Sequence, residues 1–217
     1  MRSYAQYCAI AKALDVIGDR WTLLILRELL VRPACRFTDV RNGLPGIASN
    51  LLTERLRELE SAGLVRREAA PSPLGTTVYA LTPKGLKVAP VVDALGSFGA
   101  QMLHSPGRND VFQSHWLCVP RGLELKDKTP KEPPVTIEVR TGNEPIVLQT
   151  QRSRVTARPG TAKESDATVS GSPAVVVKFL LGHIGLQTAR KQGLRIAGNE
   201  RAVLRVRPDT RRHSNAS

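Results

Sequence analysis

Ser49, Asn50, Thr53, Glu54 and Arg57 are interleaved with Leu52, Leu56 and Leu59, and the leucines recur at helical spacing. With the leucines as the buried face and an advance of about 100° per residue, Asn50, Glu54 and Arg57 stand opposite, flanked by Ser49 and Thr53. These side chains match the edges and backbone of a duplex. An asparagine amide pairs with adenine, an arginine guanidinium reaches guanine or phosphate, and hydroxyls near a helix N-terminus suit phosphate oxygens. The chemistry they point to is recognition rather than bond-making. For any one of them an ordinary solvated helix surface is the competing reading, and the arrangement is more specific than its members. His104, His115, His183 and His213 are scattered, and no glycine-rich phosphate loop or nucleophile elbow occurs. No catalytic residue, metal ligand or cofactor is expected, and the chain does not read as an enzyme.

A helix that reads DNA needs a scaffold. Ser49 is the N-cap candidate and Gly63 the terminator of a helix over 49–62. Ahead of it, residues 8–18 are helical in pattern, Asp19 is placed to cap a second helix over Trp21 to Leu30, and Phe37 to Asn42 is a short third one. Gly43-Leu44-Pro45-Gly46 supplies the tight turn between helices. Behind it, Val65 to Ala69 and Thr76 to Leu81 form a β-hairpin whose tip is loosened by Pro71, Pro73 and Gly75. Helix, turn, helix and hairpin make a winged helix-turn-helix, in which Arg36, Arg41, Thr76 and Thr77 are placed to clamp the DNA backbone. Thr82-Pro83 then begins a helix in which Val88, Val91, Val92, Leu95, Phe98 and Met102 form a long apolar seam that Pro90 should bend. Such a seam needs a partner.

The 217 residues exceed one ordinary domain. The composition of 104–109 marks a linker, which divides the chain into a DNA-binding and dimerisation domain (1–105), an α+β domain (110–207) and a basic, disordered tail (208–217). In the second domain a helix near Val111 to Cys118 is expected, then strands over 135–139, 146–150, 154–158 and 167–170. An apolar helix capped by Ser172-Pro173, a helix over 187–191 and strands over 194–197 and 202–206 complete it. The net charge of +13 suits a polyanion, yet 1–103 holds 13 basic and 9 acidic residues (+4) while 104–217 holds 19 and 10 (+9). The excess lies outside the reading helix. Apolar runs are too short to span a bilayer and no signal-peptide core is present, so a cytoplasmic protein, nucleoid-associated when bound to DNA, is expected. Cys8, Cys35 and Cys118 lack metal spacing and read as free thiols.

CAIAKALDVIGDRWTLLILREL, RFTDVRNGLPGIASNLLTERLRELESAGLVRRE and YALTPKGLKV resemble the HxlR-type winged-helix regulators over about Cys8 to Leu103. The resemblance implies a homodimeric transcription factor on a pseudo-palindromic operator. Ile10 and Leu14 of the first helix and Val88, Val92, Leu95, Phe98 and Met102 of the last would form the dimer interface. It also places Cys8 where some members carry a redox-sensing cysteine. The second half resembles the sterol carrier protein-like domain over about Trp116 to Val206, through DATVSGSPAVVVKFLLG and the spacing in Ala189 to Gly198. That implies a site for a hydrophobic small-molecule effector, lined by Val175, Val176, Phe179 and Leu180. Core filling is the alternative for these four, and a hydrophobic-ligand carrier is the alternative function.

Overall fold

The computed structural model describes residues 3–69, 76–103, 106–119 and 125–208. The expected wing tip at 71–75, the first linker residues and the tail beyond Pro208 lie outside them. The chain divides into two compact units, Met1–Val92 and Asp93–Ser217.

In the first unit, α1 (Ala9–Ile17) and α2 (Thr22–Val31) precede a two-residue strand, β1 (Cys35–Arg36), and α3 (Phe37–Asn42). Ile25, Leu26 and Leu29 of α2 are buried, as the apolar surround of that helix requires. The expected side-chain cap from Asp19 is not made. Trp21, at a left-handed φ of 78°, is the N-cap residue. Asp19 instead accepts the Thr22 N–H through its carbonyl at 3.1 Å, and its carboxylate turns to Arg55 at 2.8 Å. Between α3 and the next helix, Gly43 admits the buried Glu28 carboxylate, because a Cβ there would lie 2.0 Å from Glu28 Oε2.

The next helix, α4 (Ser49–Ser61), is followed by β2 (Val65–Ala69) and β3 (Thr77–Leu81). Ala48 is its N-cap residue, so Ser49 lies one position inside the helix rather than capping it. At the other end Gly63 adopts φ +71°. There the Leu64 N–H donates to the Leu59 carbonyl and the Gly63 N–H to the Glu60 carbonyl, both at 2.9 Å. The paired bonds satisfy two carbonyls that the helix would leave open and turn the chain into β2. β1, β3 and β2 form an antiparallel sheet in that order. Thr82 then caps α5 (Pro83–Leu86) by accepting the Gly85 N–H at 3.0 Å. Pro90 does not bend a continuous helix as expected. The helix breaks after Leu86 and restarts as α6 (Ala89–Ala100), with Pro90 in its first turn, where a missing N–H costs no helical bond.

The second unit is α+β. A 3-10 turn over Ser114–Cys118 replaces the helix expected from Val111. β4 (Thr136–Thr141), β5 (Glu144–Gln151) and β6 (Arg154–Pro159) form a meander. The turn between β4 and β5 is the two-residue Gly142-Asn143, with Gly142 at φ +66°. β7 (Ala167–Ser170) lies parallel to β4, and after α7 (Pro173–Leu180) and α8 (Leu186–Lys191) comes β8 (Arg195–Gly198), giving the order β6-β5-β4-β7-β8. The strand expected over Ala202–Val206 is a helix, α9 (Glu200–Val206). A short apolar run fits either period, and the Asn199 side chain decides it by accepting the Arg201 and Ala202 N–H groups at 3.1 and 3.4 Å. Ile137, Val139, Ile146, Leu148 and Val169 share one buried sheet face by register, and α9 packs on β4 and β7. Among the described residues no helix is long and apolar enough to cross a membrane.

Candidate nucleic-acid interface

The leucine stripe and the polar face of α4 are separated as the sequence spacing requires. Leu52, Leu56 and Leu59 are at most 1% exposed, whereas Ser49, Asn50, Glu54 and Arg57 are exposed and Thr53 is half-buried. Among the described residues neither Asn50 nor Arg57 has an intramolecular side-chain partner, so both heads are open to an external ligand. The hydroxyls differ. Thr53 Oγ1 donates to the Ser49 carbonyl at 2.9 Å, which spends its proton inside the helix. Ser49 Oγ accepts from Arg41 Nη1 at 3.4 Å and keeps its own proton for an outside acceptor. That contact also brings the exposed Arg41 of α3 beside the first turn of α4, where unpaired N–H groups and a cation together favour an anion.

Two side chains hold α4 at its angle. Arg55 Nη1 meets Asp19 at 2.8 Å and also contacts Glu58, tying α4 to the turn between α1 and α2. Arg55 is 15% exposed and therefore positions the helix rather than offering a charge to DNA. No periodicity in the sequence announces a pair 36 positions apart. Arg36 is half-buried, with its backbone N–H on Asp39 Oδ2 at 2.9 Å. Thr77 is half-buried on β3, and Thr76 Oγ1 is a buried atom. Arg67 of β2 is exposed and has no side-chain partner among the described residues. It sits on the wing but was not among the expected contacts. The two arginines at 66 and 67 were its signal, and they divide in role, since Arg66 bonds Glu68 at 2.9 Å and the Leu81 carbonyl at 2.8 Å.

Of the residues expected at a dimer interface, Val88 and Val92 are buried in the chain itself, while Ile10, Leu14, Leu95, Phe98 and Met102 are 71, 41, 47, 65 and 62% exposed. Val91 is exposed too, so Val91, Leu95, Phe98 and Met102 form one stripe at spacings of four, three and four. On α1, Ile10 and Leu14 are exposed on neighbouring turns, and Tyr7 just ahead of the helix is exposed too. Val175, Val176, Phe179 and Leu180 are buried on α7, and the Arg207 guanidinium stacks over the Phe179 ring at 4.3 Å. Cys8 is exposed at the N-cap of α1, where the Ala11 and Ile10 N–H groups pull its thiol below the usual range. Cys35 is buried, and burial pushes its thiol up to about 12.

The model of the HxlR-like helix-turn-helix family matches residues 16–106. The chain is 39% identical over 92 residues to an uncharacterized HTH-type transcriptional regulator of Methanothermobacter thermautotrophicus, covering 42% of this chain and 70% of that protein. It is 34% identical over 92 residues to the uncharacterized HTH-type transcriptional regulator YvaP of Bacillus subtilis, covering 42% and 84%. A third relative, the HTH-type transcriptional regulator YodB of Bacillus subtilis, is 33% identical over 89 residues, covering 41% and 79%. With its helix-turn-helix and wing in place and relatives matched over most of their length, the chain belongs to the HxlR-like helix-turn-helix family.

Proposed function

We propose that the protein is a homodimeric transcriptional regulator that reads a pseudo-palindromic operator through α4. The observation that carries this reading is the division of α4 between a fully buried leucine stripe and an exposed face bearing Asn50, Glu54 and Arg57. A helix so divided and flanked by a β-hairpin meets the shape of the major groove. Ser49, Arg36, Arg41 and Thr77 act on the backbone, while Thr76, whose Oγ1 is buried, and Thr53, whose proton is held by the Ser49 carbonyl, do not. The relatives support DNA as the partner, being HTH-type transcriptional regulators. Homodimerisation is supported by the exposed apolar residues of α1 and the stripe of α6, since apolar surface of this kind marks an interaction site. Selection of genomic fragments by the purified full chain tests the reading. Recovery of a common inverted repeat supports it, and recovery of no enriched sequence removes it.

The domain over 110–207 is read as a sterol carrier protein-like module for a hydrophobic effector. Its support is a sheet with one buried apolar face, against which α9 packs, and the apolar helix α7. Fatty acyl ligands that raise the melting temperature of the wild type but not of Phe179→Ala would bear this out. A redox reading is favoured by Cys8, which is exposed and has a lowered thiol pKa, because the thiolate is the form that oxidants attack. A Cys8→Ser variant whose DNA binding still responds to peroxide as the wild type does would remove it.

A further inference from the structure

The five-stranded sheet has a second face that is basic and exposed at its sides, in Arg140, Arg195, Arg154 and Arg158, while Val147 and Glu138 at its middle are buried, where Ala162 of the β6–β7 connection meets the Glu138 carboxylate. Register puts Arg140, Ser170 and Arg195 in one cross-strand row, and Arg158, Val147, Glu138 and Thr168 in the next. Arg154, Thr156 and Arg158 alternate along β6 on this same face, and all three are exposed, as are Arg140 and Arg195. We propose that this face, through Arg140, Arg154, Arg158 and Arg195, is a second, sequence-independent contact for the phosphate backbone of duplex DNA. The proposal rests on the DNA-binding reading of the first unit and adds a surface to it.

Charge and shape select the partner. Glu138 is the one acidic side chain that the strands place on this face, and it is buried. Its carboxylate is occupied by Arg140 Nε at 2.6 Å and by the Ala162 N–H at 3.0 Å. Glu164 and Asp166 lie in the connection from β6 to β7, where Asp166 accepts the Thr136 N–H at 2.7 Å. Against these stand the four arginines and the exposed Lys163 of the same connection. Arg154 and Arg195 have no intramolecular side-chain partner among the described residues. Strands about 4.8 Å apart put Arg140 and Arg195 roughly 10 Å from each other, and four residues of β6 separate Arg154 from Arg158 by about 13 Å. The arginines therefore span several phosphates of a duplex, which carries one per about 3.4 Å of each strand. Gln149, Thr156, Thr168 and Ser170 add neutral hydrogen-bonding groups. No large apolar side chain of these strands is exposed, so the face offers nothing to bury in a lipid surface. The face carries part of the excess charge of residues 104–217, which hold 19 basic and 10 acidic residues.

The test measures the full chain on a random-sequence duplex of about 60 base pairs over a KCl series, as wild type and as Arg154→Gln/Arg158→Gln/Arg195→Gln. Each lost phosphate contact lowers the slope of log Kd against log salt by about 1, so a drop of about 2–3 is expected, with roughly 10-fold weaker binding near 100 mM KCl. The double variant Arg154→Gln/Arg195→Gln, whose side chains hold nothing in the fold, should lower the slope by about 1–2 with an unchanged melting curve. A wild type that binds duplex with a slope the variants share overturns the sheet contact and leaves the reading helix standing. A wild type that binds no duplex overturns the DNA reading itself. Unchanged duplex slopes with lost binding to phosphatidylserine vesicles would assign the face to a membrane surface and overturn the proposal.

Discussion

Arg205 and Asp127 meet in a two-pronged buried pair, Nε to Oδ1 at 2.7 Å and Nη2 to Oδ2 at 2.9 Å, across 78 positions of sequence. Arg205 also donates to the Pro133 carbonyl at 2.8 Å, so one guanidinium at the end of α9 fastens the segment leading into β4. Both side chains are at most 8% exposed. Asp127→Ala removes the two-pronged partner and leaves Arg205 with Glu132 at 3.4 Å and the Pro133 carbonyl, and should cost about 1.5–3 kcal/mol of unfolding free energy in urea. An unchanged midpoint would mean that the pair holds nothing.

The same pair sets a pH dependence. Hydrogen bonds from Arg205 hold the Asp127 carboxyl below its ordinary value of 3.8. A carboxyl depressed in the folded state stabilises the fold above its unfolded pKa and loses that effect as pH falls through the folded one. The wild type should therefore keep this contribution at pH 5 and above and lose it progressively below about pH 4. In Asp127→Asn this component of the acid limb disappears, as urea midpoints recorded from pH 7 to pH 3 would show. Identical pH profiles for the two proteins would contradict the assignment.

Leu56 and Arg57 are adjacent in sequence and opposite in environment, one 1% exposed and the other open to solvent. Leu56→Ala should destabilise the first unit by about 2–5 kcal/mol, as a buried large-to-small change does. Arg57→Ala should leave the thermal unfolding of the chain unchanged.

Cysteine labelling separates the three thiols. Cys8 is exposed with a lowered pKa, whereas Cys35 is buried with its thiol near 12 and Cys118 is buried. Iodoacetamide at neutral pH on the native protein should modify Cys8 first, because the thiolate is the nucleophile. Peptide mass mapping after short exposures would show it, and equal labelling of Cys8 and Cys35 would contradict the structure.

The parts of the fold readable from sequence were those with local signals. α4 and β2 follow from the leucine spacing and Gly63. What escaped was long-range or very short. β1 is two residues paired to β3, Arg55 reaches Asp19 in the turn between α1 and α2, and the apolar run of α9 fits a strand by spacing but is held as a helix by its Asn199 cap. On α4 the buried and exposed sides fall where the leucine spacing puts them, while single hydrogen bonds differ from the expectation. Thr53 spends its proton on the helix, and Arg67 of the wing presents an open charge that the helical stripe did not predict.

Base reading by the exposed face of α4 is tested most directly by one binding comparison. Wild type, Asn50→Ala and Arg57→Ala are titrated, as full chains, onto the duplex recovered by genomic selection and onto a random duplex at one salt concentration. Each variant should lose about 1–3 kcal/mol on the selected duplex and much less on the random one, because base contacts carry the sequence preference. Equal losses on both duplexes, or no loss on either, would contradict it.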